Sequence, residues 1–205
     1  MTRIILASGS PRRRELLAAL VADFDVVPSD VPELMHGDPV DDAVRLARAK
    51  SRAIADDYPD AVVIGADTIV HDGRRAYGKP RNHDDALAMW QALRGRTHRV
   101  VTGIAVIRGG YESAGSSESR VELVALSDAQ VERYIASQRP MDKAGAYAIQ
   151  DEDVPTVTSL EGCYCCVVGL PLRRLYAMLT EAGVICADPA VTIPRCATCP
   201  ERPAA

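Results

Sequence analysis

The segment Ala61-Val62-Val63-Ile64-Gly65 is an unbroken apolar run that ends in Ala66-Asp67-Thr68. Such a run, bounded by turn signals, reads as a central strand buried on both faces, so helices must cover both sides of its sheet. The preceding residues fit that demand. Ile4-Ile5-Leu6-Ala7 is a short buried strand, Ser10 and Pro11 form the cap and first position of a helix to about Leu20, and Phe24 to Val27 is another strand. Asp38-Pro39 then opens a long helix to about Asp57, with Ala43, Leu46, Ala47, Ala53 and Ile54 at helical spacing and Lys50 in the middle of their stripe.

Beyond the central run, Ile69-Val70 continues extended, Asp72-Gly73 signals a hairpin turn, and Tyr77-Gly78-Lys79-Pro80 closes the region. Asp84 to Leu93 reads as a helix stopped by Gly95. Val100 to Ile107 and Glu118 to Ala125, flanking Gly109-Gly110 and a serine-rich loop, predict a long antiparallel hairpin. Ser127 and Gln130 form a capping box for a helix to about Gln138. Tyr147–Ile149, Val154–Ser159 and Cys163–Val168 read as strands, and Pro171 to Ala182 as a closing helix. The expected fold class is α/β, with a mixed, partly antiparallel sheet flanked by helices. One domain is expected over residues 1–185, followed by a tail, 186–205, that has four prolines and no periodicity.

Composition excludes several partners. With 24 basic against 28 acidic residues in 205, the chain lacks the positive surplus of a protein that coats duplex DNA. At 4% aromatic it also lacks the platforms on which single-stranded bases stack. No stretch of 18 apolar residues is present, so no membrane span is expected. The arginine-rich opening has too short an apolar run for a secretory signal, and Glu15 falls inside its helix. The six cysteines are therefore read as thiols. Cys196-Ala-Thr-Cys199, with Cys186 nearby, lacks a fourth zinc ligand close in sequence; a redox pair or a loose tail is the favoured reading.

The charged residues at strand ends carry the chemistry. Ser8-Gly9-Ser10-Pro11-Arg12-Arg13-Arg14 places hydroxyls and guanidiniums at a helix N-terminus, where unpaired N–H groups make an anion cradle; the competing reading is arginines that simply sit in solvent. Asp67 is either a functional carboxylate or the cap of the next turn. Lys50 either serves a site or lays its stem over the apolar stripe. Lys79, between Gly78 and Pro80, and Lys143 are similar in kind, and each alone is weak. Together they form a set suited to displacement at a nucleotide phosphorus: Arg12, Arg13, Lys50 and Lys79 to hold phosphates, and Asp67 with Glu33 to bind Mg²⁺ or accept a proton from water. There is no Walker A pattern.

The same residues resemble the Maf family of nucleoside triphosphate pyrophosphatases. Leu6-Ala-Ser-Gly-Ser-Pro-Arg-Arg-Arg-Glu-Leu-Leu17 is similar to its opening signature, and Gly65-Ala-Asp-Thr68, Gly78-Lys-Pro80, Lys143-Ala-Gly-Ala-Tyr147 with Ile149-Gln150, and Val167-Val-Gly-Leu-Pro-Leu172 follow in order. The resemblance spans about residues 3 to 183. It implies an inosine-triphosphatase-like α/β fold and a cytoplasmic hydrolase, often dimeric, that depends on Mg²⁺ or Mn²⁺ and releases pyrophosphate from a nucleoside triphosphate. In this family the activity is linked to septum formation and cell-division arrest. By similarity Asp67 is the catalytic acidic residue, Arg12, Thr68 and Gln150 set substrate choice, Ser8, Arg13, Lys50 and Lys79 line the phosphates, and Glu33 with Asp67 takes the metal. Thr68 with Ile149-Gln150 resembles the branch acting on dTTP and UTP; the alternatives are the 7-methyl-GTP branch, another modified nucleotide, or a regulator that binds nucleotides without turning them over. Asp142 and Cys166 depart from the family pattern, where Gly and Asn are common.

Overall fold

The computed structural model describes residues 2–151 and 153–201. Seven strands form one mixed sheet in the order β2-β1-β3-β5-β6-β7, with β4 paired to β3. They are β1 (Ile4–Leu6), β2 (Asp25–Val26), β3 (Val62–His71), β4 (Ala76–Tyr77), β5 (Thr97–Arg108), β6 (Tyr111–Leu123) and β7 (Val157–Glu161). The chain folds into two compact units, and β3, β5 and β6 pass from one to the other.

The first unit takes the described parts of Met1–Thr68, Val101–Glu118 and Gly162–Ala205. Its strands β1, β2 and β3 are parallel, with Ile4, Ile5 and Leu6 opposite Val62, Val63 and Ile64. Parallel neighbours need crossover connections, which α1 (Pro11–Ala18) and α2 (Pro39–Ala55) provide. Val62, Val63, Ile64 and Ala66 are all fully buried, as the apolar run predicts; each large side chain so buried contributes on the order of 1.5–3 kcal/mol. Ile5, Ala7 and Val63 pack with Ile54 of α2.

Two glycines set how closely α2 lies on the sheet. A Cβ added at Gly65 would sit 2.2 Å from the Ala47 carbonyl oxygen, and one at Gly103 would sit 2.2 Å from that of Ala43. Ala43, Ala47 and Ser51 recur every fourth residue, so they form one ridge of the helix, and along it helix backbone meets strand backbone without intervening side chains. The helix starts sharply: Pro39 occupies its first turn and the Asp38 carboxylate accepts from the amides of Val40 and Asp41.

The second unit comprises Ile69–Val100 and Ser119–Glu161, with α3 (His83–Leu93) and α4 (Asp128–Ala136). Ser127 and Gln130 form the expected capping box. Trp90 and Tyr134 pack edge to face at 5.7 Å, and the Trp90 indole N–H donates to the Ala146 carbonyl at 2.8 Å. His98 is buried, its Nε2 lies 2.7 Å from the Tyr147 hydroxyl, and burial pushes its pKa down to about 4, with the nearby His71 acting in the same direction.

Several elements differ from expectation. Cys163–Val168 is not a strand: Tyr164–Val168 forms a helical turn, α5, with the Cys163 sulfur accepting from the Cys166 amide and positive-φ glycines, Gly162 and Gly169, at its ends. A short apolar run does not distinguish a buried strand from a buried helix, and here the glycines close the segment into a helix. Tyr147–Ile149 forms no strand either, because Gly145 and Ala146 adopt positive φ in a tight turn just before it. The serine-rich segment after Gly110 is not a loop but the first half of β6.

The segment from Cys186 also has more structure than a loose tail. Residues 202–205 lie outside the described residues, but 186–201 include two short helices, α7 (Pro189–Thr192) and α8 (Pro194–Ala197), beside α6 (Leu172–Glu181). Buried Arg173 of α6 fastens them, its Nη1 lying 3.0 Å from Asp188 and its Nε donating to the Cys196 carbonyl at 3.1 Å. No disulfide joins the six cysteines, five of which are buried, and the sulfurs of Cys165 and Cys196 lie 3.5 Å apart. Among the described residues no three His, Cys, Asp or Glu side chains converge on a metal position.

Candidate active site

Asp67 and Thr68 lie side by side in sequence in the middle of β3, not at a strand end as the apolar run suggests, because the strand continues to His71. Side chains alternate across a strand, so the pair addresses opposite faces. Gly65 and Asp67 point toward α2; Thr68 points away from it.

On the α2 face, the Lys50 ammonium lies 2.6 Å from Asp67 Oδ1 and 2.5 Å from Glu33 Oε1. Lys50 and Asp67 are each only 5% exposed, whereas the Glu33 side chain is 57% exposed. A lysine on an apolar helix stripe is accounted for by this partner: the glycine contacts bring α2 close enough for its ammonium to neutralise a carboxylate that the sheet buries. Glu33 comes from the irregular segment before α2, which is itself tied down. The Asp42 carboxylate accepts from the His36 and Gly37 amides at 2.7 and 3.0 Å, and Arg45 bridges from Asp42 to the Leu34 carbonyl. Burial opposes the Asp42 charge, but Arg45 and those two amides outweigh it and hold the carboxyl below its ordinary pKa.

On the other face, Arg13 of α1 gathers a polar cluster. Its Nε donates to the Gly169 carbonyl at 2.8 Å, Nη1 to Ser8 Oγ at 3.0 Å, and Nη2 to Thr68 Oγ1 at 3.0 Å. Thr68 Oγ1 is also 2.9 Å from Thr102 Oγ1, and Thr102 donates to the Cys166 carbonyl at 2.7 Å. Burial lowers the Arg13 pKa, while the charges of Asp67 and Glu33 work to raise it and Arg12 adds to the lowering. The guanidinium therefore lies within the electrostatic reach of both carboxylates.

The expected residues thus fall into two sets within the first unit: Glu33, Lys50 and Asp67 around one ammonium, and Ser8, Arg13 and Thr68 around one guanidinium. Arg12 is half-buried beside Arg13 in α1. Lys79 and Gln150 belong to the second unit, where both are exposed: Lys79 follows β4 next to Gly78, whose carbonyl accepts from the Gly145 amide at 3.1 Å, and Gln150 sits in the turn after Tyr147. Lys143 is turned onto its own neighbourhood, pairing with Asp142 at 2.7 Å and with the Arg139 carbonyl.

Sequence reasoning missed Thr102, Asp42 and Arg45. Thr102 did leave a signal, as a lone hydroxyl in the apolar run Val100 to Ile107 that is fully buried in the structure. The backbone acceptors at Cys166 and Gly169 left none, since carbonyl directions depend on α5 being a helix.

Glu33 and Asp67 offer hard carboxylate oxygens, the donor type that suits Mg²⁺ or Mn²⁺ when phosphates and waters complete the shell. No third His, Cys, Asp or Glu among the described residues joins them. Nor is any described helix long and apolar enough to cross a membrane.

Residues 3–182 match the family described as Maf-like protein. Among curated relatives, a dTTP/UTP pyrophosphatase of Koribacter versatilis is 45% identical over 184 residues, spanning 89% of this chain and 95% of that protein. One of Symbiobacterium thermophilum is 44% identical over 185 residues, 89% of this chain and 95% of its own length. One of Bacillus cereus is 42% identical over 186 residues, 90% of this chain and 97% of its own.

Proposed function

This chain belongs to the Maf family, and on that premise we propose that it is a nucleoside triphosphate pyrophosphatase acting on dTTP and UTP. The observation that carries the reading is the buried Asp67 carboxylate in the middle of β3, held by Lys50 beside Glu33 and within electrostatic reach of Arg13. A carboxylate so placed is costly to bury and is retained where chemistry needs it. The relatives that carry the dTTP/UTP name match this chain over nine-tenths of its length.

Asp67 is the general base. Water attacks the α-phosphorus and passes a proton to an Asp67 oxygen as the bond to the bridging oxygen breaks, leaving a nucleoside monophosphate and pyrophosphate. Lys50 fixes the rotamer of Asp67 through the 2.6 Å contact, so the accepting oxygen is held in position before substrate arrives. Arg12, Arg13, Ser8 and Lys79 serve the phosphates; Thr68, Arg12 and Gln150 serve substrate choice. Glu33 and Asp67 would hold a Mg²⁺ or Mn²⁺ ion, which when bound supplies charge neutralisation to the phosphate oxygens. The activity is assigned to residues 1–185.

Pyrophosphate release from a panel of dTTP, UTP, CTP and 7-methyl-GTP, each with Mg²⁺ or Mn²⁺, tests the reading. Turnover of dTTP and UTP is expected. Release from 7-methyl-GTP alone would move the chain to the other branch, and nucleotide binding without any release would make it a sensor.

A further inference from the structure

The hydrogen-bond chain Arg13–Thr68–Thr102–Cys166 has only one consistent proton arrangement. The Cys166 carbonyl can only accept, so the single proton of the Thr102 hydroxyl lies toward it across 2.7 Å. Thr102 must then accept from Thr68 across 2.9 Å, which consumes the Thr68 proton. Arg13 Nη2 can only donate, and it fills one lone pair of Thr68 Oγ1 at 3.0 Å. What Thr68 retains is a single lone pair, so toward any further partner it acts as an acceptor and never as a donor.

We propose that Thr102 is a positioning residue that sets substrate choice by fixing Thr68 as an acceptor-only group, which favours a pyrimidine carrying an N–H at ring position 3 over one carrying a lone pair there. Uracil and thymine have that proton; cytosine does not. The proposal rests on the pyrophosphatase reading and on Thr68 facing the base. Thr102 itself is fully buried in β5 and touches no substrate. A site that must pair a fixed acceptor with an acceptor leaves both groups unsatisfied, and one such mismatch is worth about tenfold in relative rate.

The test compares kcat/KM for UTP and CTP, by pyrophosphate release, in the unmodified chain, Thr102→Val and Thr102→Ser. The unmodified chain should prefer UTP at least tenfold. Thr102→Val frees the Thr68 proton and should cut that preference about tenfold, while Thr102→Ser keeps the hydroxyl and the preference; a merely structural role for Thr102 would lower both rates together. An unchanged UTP-to-CTP ratio in a folded Thr102→Val overturns the proposal. Should that variant not fold, equal rates with UTP and CTP in the unmodified chain overturn the proposal, as does a preference lost in a folded Thr102→Ser, whereas a preference kept in Thr102→Ser and lost in a folded Thr102→Ala upholds it. Absence of pyrophosphate from every nucleotide would instead defeat the pyrophosphatase reading itself.

Discussion

The Lys50 ammonium on α2 lies 2.6 Å from the Asp67 carboxylate on β3, and both groups are buried. This pair depends on the packing of α2 against the sheet, because the same approach of helix to strand that Gly65 and Gly103 permit also brings the two charges together.

Replacing Asp67 by Asn should reduce turnover by about two to four orders of magnitude, the usual span for loss of a positioned general base. Nucleotide binding should persist, as measured by calorimetry alongside pyrophosphate release. Near-normal turnover would remove Asp67 from its role.

Lys50→Met should destabilise the protein by about 3–5 kcal/mol, since it strands the Asp67 carboxylate in a buried place with no counter-charge. Glu33→Gln disturbs a partner that is mostly exposed and should cost under about 1 kcal/mol. Urea midpoints of the two variants provide the comparison, and equal midpoints would contradict the burial argument.

Gly103→Ala puts a methyl group 2.2 Å from the Ala43 carbonyl, where only a backbone shift can make room. A loss of about 3 kcal/mol or more is expected, with a fall in activity as α2 lifts Lys50 from Asp67. Gly110→Ala, which meets nothing within 4 Å, should be nearly neutral. Thermal melts of both variants distinguish a tight contact from a general intolerance of alanine in the hairpin.

His98 predicts a pH dependence. Its folded pKa is depressed to about 4 from an ordinary 6.5, so between those values the unfolded chain binds more protons and stability rises with pH. The contribution is complete above pH 6.5 and lost as pH falls toward 4, and amounts to about 3 kcal/mol for a shift of this size. His98→Phe should remove it. The difference between the variant and the unmodified chain in urea stability at pH 7 and pH 4.5 isolates this histidine from carboxylates, such as Asp42, that also weaken the fold in acid.

Much of this was legible in the sequence because the informative signals were local. The apolar run at Ala61, the Asp38-Pro39 cap and the Ser127–Gln130 box each depend on a few neighbouring residues, and each formed as expected. Lys50 was also legible, as a charge in the wrong stripe. What could not be read depends on contacts between distant segments: the apolar residues of α5 are equally compatible with a strand, and Thr102 gains meaning only when β5 lies beside β3. Pro189 and Pro194, which read as part of a loose tail, instead open α7 and α8, where a missing N–H costs nothing.

The alternation of β3 sends two neighbouring side chains to opposite faces. Asp67 sends its carboxylate to one face, where it meets Lys50, and Thr68 its hydroxyl to the other, where it meets Arg13 and Thr102. On the proposed function, a substitution at Thr102 alters a direct partner of Thr68 and leaves the Lys50–Asp67 contact in place. A single pleat of backbone thus gives two neighbouring side chains different hydrogen-bond partners, so the direct contacts of one can be substituted while those of the other persist.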